Sequence, residues 1–136
     1  MNPEIFEYPF LIREVHLDTF GHVNNAAYLQ IFEEARWDII TNRGFGLKHV
    51  KETQTGPVIL GIEMKFQKEL KNREQIVIKS WSTPFTGSVA VIEQQMINAK
   101  GEVACWAKFT FAMFDLKARK LISPTPQFRH AVGLPT

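Results

Sequence analysis

Cysteine is nearly absent from this chain: Cys105 stands alone among 136 residues. No intrachain disulfide can form, and a reducing, cytoplasmic setting is the expectation. No apolar run is long enough to span a bilayer. The start, Met1-Asn2-Pro3-Glu4, lacks the basic-then-apolar order of a signal peptide. No long block of basic charge appears either, and the formal net charge is only +2. Nucleic acid is therefore not expected as the main partner, although a local basic patch remains compatible with a phosphorylated ligand.

Several chemical signatures are missing as well. There is no Gly-x-Ser-x-Gly elbow, no P-loop and no Gly-x-Gly-x-x-Gly turn. The four histidines, His16, His22, His49 and His130, show no metal-ligand spacing, so no metal site is expected. Cys105 lies among apolar neighbours and reads as core packing rather than as a nucleophile.

What is present is enough for one domain with a real core, given a hydrophobic content of 45%. No internal repeat, low-complexity tract or linker is visible. Residues 8–16 read as a first strand, placed at an edge or early position by Pro9. Residues 17–25 form a turn around Gly21, with Asn24 or Asn25 as N-cap. From Ala26 to about Arg43 the pattern is helical, with Tyr28, Phe32, Ala35 and Ile39 on one face. Leu29, Ile31, Trp37 and Ile40 widen that face until the helix is apolar nearly all round, the pattern of a buried helix. It would be roughly 27 Å long and would end at Gly44 and Gly46.

Residues 47–56 are a polar connection with room for one helical turn. After Pro57 the chain reads as four strands: Val58 to about Leu70, Gln75 to Thr83, Ser88 to Asn98 and Glu102 to Asp115. The turns between them are short, so the last three should form an antiparallel meander. In the longest, Val103, Cys105, Ala107, Phe109, Phe111 and Met113 share one face, and Trp106, Lys108 and Thr110 take the other. That second face is not fully polar, which suggests contact with a partner subunit or ligand. The tail leaves the sheet and ends in a short helix near Phe128. The expected fold class is α+β, one antiparallel sheet wrapped around one long central helix. A single such layer pair leaves an exposed edge and an apolar sheet face, and edge-to-edge pairing of two copies removes both; a homodimer is expected.

Asp18 is the leading candidate for chemistry. It precedes a glycine turn that runs straight into the helix, where unpaired N–H groups and the dipole would polarise a carbonyl. The carboxylate would attack that carbonyl or activate water. The competing reading is an aspartate that only shapes its turn. His22 reads as a turn histidine or a base, Asn24 and Asn25 as caps or donors, and Tyr28 as packing. Glu33 and Glu34 point to different sides of the helix and cannot form a close acid pair; a buried Glu34 would hold Arg36 or a turn residue.

Asp18-Thr19-Phe20-Gly21-His22-Val23-Asn24-Asn25-Ala26-Ala27-Tyr28, followed by Phe32-Glu33-Glu34-Ala35-Arg36, resembles the signature of the hotdog-fold acyl-CoA thioesterases. The branch it most resembles is the 4-hydroxybenzoyl-CoA thioesterase family, and the element order fits over nearly the whole chain. The resemblance implies a sheet around a central helix, dimers with one continuous sheet, dimers often paired into tetramers, and an active site at the dimer interface. It implies Asp18, three residues before Gly21, as nucleophile or general base on a thioester. It puts the carbonyl-polarising N–H at Asn25, where some members carry histidine. His16 stands where many members have a second aspartate. Coenzyme A enters as part of the substrate, and no separate cofactor is implied. Its phosphates would meet loop residues, often across the interface, with Lys68, Arg73, Thr86, Gly87 and Ser88 in or near the corresponding loops; His22, Asn24 and Tyr28 are further candidates for substrate contact.

Two other readings stay open. An acyl-carrier-protein thioesterase would use the same chemistry, with Lys65, Lys68 and Lys71 docking an acidic carrier. A catalytically silent hotdog domain would bind an acyl-CoA as a sensor or store. Phe20, Tyr28, Phe66 and Phe85 are candidates to line the acyl pocket, for either an aryl or an aliphatic group.

Overall fold

A computed structural model describes residues 3–136. The leader reading above falls partly on Met1 and Asn2, outside the described residues. The chain runs β1 (Phe6–Leu11), α1 (Asn25–Asn42), α2 (Leu47–Thr53), β2 (Thr55–Phe66), β3 (Gln75–Ser82), β4 (Val89–Ile97), β5 (Val103–Asp115), β6 (Lys120–Ile122) and α3 (Pro126–Ala131). The sheet order is β1-β3-β4-β5-β2, antiparallel throughout, with β6 paired to the far end of β5. The expected meander is β3-β4-β5, and β1 and β2 close its two edges. This is the hotdog arrangement of one curved antiparallel sheet against one long helix.

α1 starts where Asn24 caps it, its side-chain oxygen accepting the Ala26 N–H at 2.9 Å. It stops at a glycine in the left-handed region, Gly44 at φ 89°, with the Phe45 N–H returned to the Ile40 carbonyl at 2.8 Å. Ala27, Tyr28, Ile31, Phe32, Ala35, Ile39 and Ile40 are buried. Burying a side chain such as Ile31 or Phe32 contributes about 1.5–3 kcal/mol. Unlike the helix expected from the sequence, α1 is not enclosed all round. Gln30, Glu33, Glu34, Thr41 and Asn42 are exposed, and Leu29 and Trp37 are only half-buried.

Of the strand boundaries that differ from expectation, three have identifiable reasons. β1 ends at Leu11, because Arg13 turns the chain into a single 3₁₀ turn, Glu14–His16. β2 begins before Pro57, at Thr55, since a proline without an N–H is tolerated on an edge strand. It ends at Phe66, where the Gln67 and Lys68 N–H groups both turn to the Ala104 carbonyl.

The faces of β5 follow the two-residue period. Cys105, Ala107, Phe109, Phe111 and Met113 are buried on the inner face, while Trp106, Lys108 and Thr110 are turned outward. The outward Trp106 lies within reach of two cations, Lys65 at 5.5 Å and Lys108 at 5.8 Å from its ring centre. No helix among the described residues is long and apolar enough to cross a membrane.

Candidate active site

The loop between β1 and α1 is pinned from both sides. Leu17 and Val23 form an isolated antiparallel bridge, and the Asn24 N–H reaches the His16 carbonyl at 2.8 Å. Within it the Asp18 N–H bonds the His22 carbonyl at 2.7 Å, and the Gly21 N–H bonds the Asp18 carbonyl at 3.1 Å. That closure requires a positive φ at Gly21, observed at 81°.

The Asp18 carboxylate completes the turn. Its Oδ1 accepts the Phe20 N–H at 2.9 Å and the His22 N–H at 3.1 Å. Among the described residues Oδ2 has no protein hydrogen-bond partner. One oxygen therefore orients the group, and the other is left to act. The turn-shaping role and the chemical role can coexist in one side chain.

α1 begins seven residues after Asp18, at Asn25. Asn24 occupies the Ala26 N–H with its side chain and the Ala27 N–H with its carbonyl. The Asn25 N–H has no protein acceptor among the described residues, as expected for the first helical position. Asn25 and Tyr28, with His22, Phe66, Lys68 and Glu69, border an open cleft of about 420 Å³ between the helix start and the end of β2.

Around that cleft the expected residues separate. Tyr28 is buried edge-on to Phe66, with ring centres 4.8 Å apart, and burial pushes its hydroxyl up to about 12, so it stays neutral. His22 is exposed, with Nε2 3.5 Å from Glu69 Oε1. Lys68 lies 3.6 Å from Glu102, and Arg73 is held by Glu14, so both expected phosphate contacts already have carboxylate partners. Thr86, Gly87 and Ser88 lie at the opposite end of the strands, a β4 length or roughly 30 Å away. No single copy of the chain brings them to the cleft.

The aromatic candidates divide in the same way. Phe20 stands 84% exposed at the tip of the Asp18 turn. Phe85 packs at the far end against Phe111 and Phe128, at 5.7 and 6.3 Å.

The neighbours of the turn have settled roles. His16 Nδ1 accepts the Arg13 N–H at 2.9 Å, so its ring proton sits on Nε2. Burial lowers its pKa, Arg13 adds to that, and Glu34 opposes it. Glu34 holds Tyr8 rather than Arg36, accepting the phenol at 2.6 Å, which with burial pushes that hydroxyl up to about 12. The sequence reading overlooked the partner of Arg36. It is Gln94, a polar residue at an inward position of β4, and that misplaced polarity was the available signal.

Comparison with known proteins places this geometry in context. Over 119 residues the chain is 29% identical to the long-chain acyl-CoA thioesterase FadM of Escherichia coli, covering 87% of this chain and 89% of that protein. The crystal structure of YbaW, a probable thioesterase from Escherichia coli, superposes with a TM-score of 0.81 at 27% identity, over 93% of this chain and 96% of that one. SAV2348 of Staphylococcus aureus, solved in complex with CoA, shares the fold at a TM-score of 0.88 and 14% identity, over 100% of this chain and 89% of that one. The Thioesterase-like superfamily matches residues 13–132, which include the Asp18 turn, all of α1 and every long strand, and this chain belongs to that superfamily.

Proposed function

We propose that this thioester hydrolase cleaves an acyl-CoA to the free acid and coenzyme A, using Asp18 at the start of α1. The observation that carries the reading is the division of labour within the Asp18 carboxylate. Oδ1 is fixed by two N–H groups and Oδ2 has no protein partner among the described residues, on a turn that leads directly into a helix start whose Asn25 N–H likewise has none among them. FadM and YbaW, the relatives above, support the reaction class.

In the mechanism, the thioester carbonyl lies at the helix start and accepts the Asn25 N–H. The dipole of α1 adds to the stabilisation of the developing oxyanion. Oδ2 of Asp18 attacks the carbonyl carbon, the carbon–sulfur bond breaks, and coenzyme A leaves as its thiolate. Water then opens the mixed anhydride and regenerates the carboxylate. In the alternative route Oδ2 takes a proton from the attacking water. A thiolate is a good leaving group, so neither route needs a strong general acid.

The site is completed in a homodimer. β2 is the longer of the two edge strands, twelve residues long, and it exposes Ile59, Leu60, Ile62 and Phe66 at 36–54%. A long apolar edge is an aggregation hazard unless paired. Twofold antiparallel pairing of β2 with its copy continues the sheet and covers these side chains. It also carries the partner's Thr86–Ser88 loop toward the cleft, where those residues are placed to meet the coenzyme A phosphates. The outward sheet face, with Trp81 and Trp106, is the surface available for a dimer of dimers.

Thiol release from a panel of acyl-CoAs, with matched acyl-carrier-protein substrates alongside, tests the reading. Turnover of acyl-CoA that disappears in Asp18→Asn supports it. Tight binding without turnover points instead to a sensor, and preference for the carrier substrate to a carrier-protein thioesterase.

A further inference from the structure

Arg36 is chemically out of place. It projects from the middle of α1 toward the sheet, with Nη1 donating to Oε1 of Gln94 at 2.9 Å and its Cζ 4.1 Å from the centre of the Phe109 ring. Arg43 and Arg73 each have a carboxylate partner, whereas Arg36 takes part in no ion pair among the described residues. Burial pushes its pKa down to about 10, with Glu33 opposing, so it is still charged at neutral pH. A guanidinium has five donors. One goes to Gln94, and the rest have no protein acceptor among the described residues.

Arg36 also lines a cavity. Glu33, Arg36, Trp37, Ile59, Ile92 and Phe111 are among the residues that line it. Its volume of about 130 Å³ is close to that of cavities that hold one benzene ring. It is too small for a nucleotide and large enough for the end of an acyl group. The walls are apolar apart from Arg36 and Glu33. A carboxylate entering there would face Glu33, and a plain hydrocarbon would leave the guanidinium unmatched in a low-dielectric site. A hydroxyl answers both residues, accepting from Arg36 and donating to Glu33.

Pairing of β2 brings this cavity to the chemistry. In a twofold antiparallel pair the Thr55 end of one β2 lies against the Phe66 end of the other. Pro57 and Ile59 at the cavity of one copy then adjoin the cleft that begins at Phe66 in the other.

We propose that the cavity receives the far end of the acyl group held at the partner's helix start, and that Arg36 selects acyl groups carrying a hydroxyl at that end. This rests on the acyl-CoA reading and on the edge-paired dimer. The test measures kcat/KM for matched acyl-CoAs of graded length, each ending in methyl or in hydroxyl. At one length the wild type prefers the hydroxyl by about tenfold or more, because a site built around a hydroxyl discriminates against its absence.

Arg36→Met removes every donor and keeps an apolar stem, and it abolishes the preference. A purely structural role would lower both substrates equally and leave their ratio intact. Glu33 is exposed, so Glu33→Leu keeps the fold even if Arg36→Met does not, and it reduces the preference severalfold. Absence of any preference in the wild type, or its survival in both variants, overturns the proposal. Should the wild type hydrolyse no acyl-CoA, the hydrolase reading fails by itself. Calorimetry with free ω-hydroxy acids then decides the cavity: binding weakened about tenfold in Arg36→Met or Glu33→Leu supports it, and no binding, or binding unchanged in both, overturns it.

Discussion

Arg36 and Gln94 join α1 to the centre of the sheet through a 2.9 Å hydrogen bond from Nη1 to Oε1. Gln94 is fully buried and gives its Nε2 to the Phe32 carbonyl at 3.1 Å and to Ser80 Oγ at 3.0 Å. One amide thus ties together a guanidinium, a helix carbonyl and a neighbouring strand.

Gln94→Leu keeps the approximate volume and removes all three bonds. It leaves the Arg36 charge without its acceptor, so the expected loss is about 2–4 kcal/mol. Urea denaturation monitored by circular dichroism measures it. A loss below about 0.5 kcal/mol would show that solvent replaces Gln94 without cost.

Asp18 is expected to separate into its two roles under substitution. Asn keeps an oxygen at Oδ1 for the Phe20 and His22 N–H groups, whereas Ala removes it. Both variants should lose turnover by about a thousandfold or more, in line with removal of a nucleophile or base. Only Asp18→Ala should also lose about 1–2 kcal/mol of stability. Parallel activity assays and thermal melts read the two effects, and near-wild-type turnover in Asp18→Asn would reject the mechanism.

The β2 edge should respond to charge. Ile62→Lys and Leu60→Lys put ammonium groups on a surface that pairing would bury, and each is expected to convert a dimer to a monomer in sedimentation velocity. In the proposed dimer the loop at Thr86–Ser88 and the cavity at Arg36 would come from the other copy, so activity should fall with the dimer.

His16 supplies a pH dependence with a definite sign. Its pKa is lower in the folded chain than its ordinary value of 6.5. The unfolded chain therefore binds more protons below neutrality, and the folded form loses stability as pH falls through about 6.5. Above that pH the contribution is complete. Denaturation midpoints between pH 7.5 and 5.5 should decline in the wild type and decline less in His16→Gln. Equal slopes would show that other groups set the dependence.

Much of this was legible in the residues. The helix carried its own punctuation, with Asn24 before it and Gly44 after it, and β5 announced its inner face by a two-residue period. The Asp18 motif was readable because a turn needs Gly21 where it stands. What escaped were features decided by tertiary partners. β2 extends back through Thr55 because an edge position excuses Pro57 from donating. The Glu14–His16 turn depends on His16 accepting from Arg13, which no periodicity reveals. Gln94 stands at an inward position of β4, and its partners come from α1 and β3, which no periodicity names. The family pattern groups the Thr86–Ser88 loop with Lys68, often across a subunit interface, and within one copy the two lie at opposite ends of the strands.

Cys105 is fully buried on the inner face of β5, and burial pushes its thiol up to about 12. The chain carries no other sulfhydryl. A chromogenic thiol reagent in the reaction mixture would thus find the intact protein inert. Every increment of colour from folded enzyme would report released coenzyme A, and a slow rise without substrate would report unfolding.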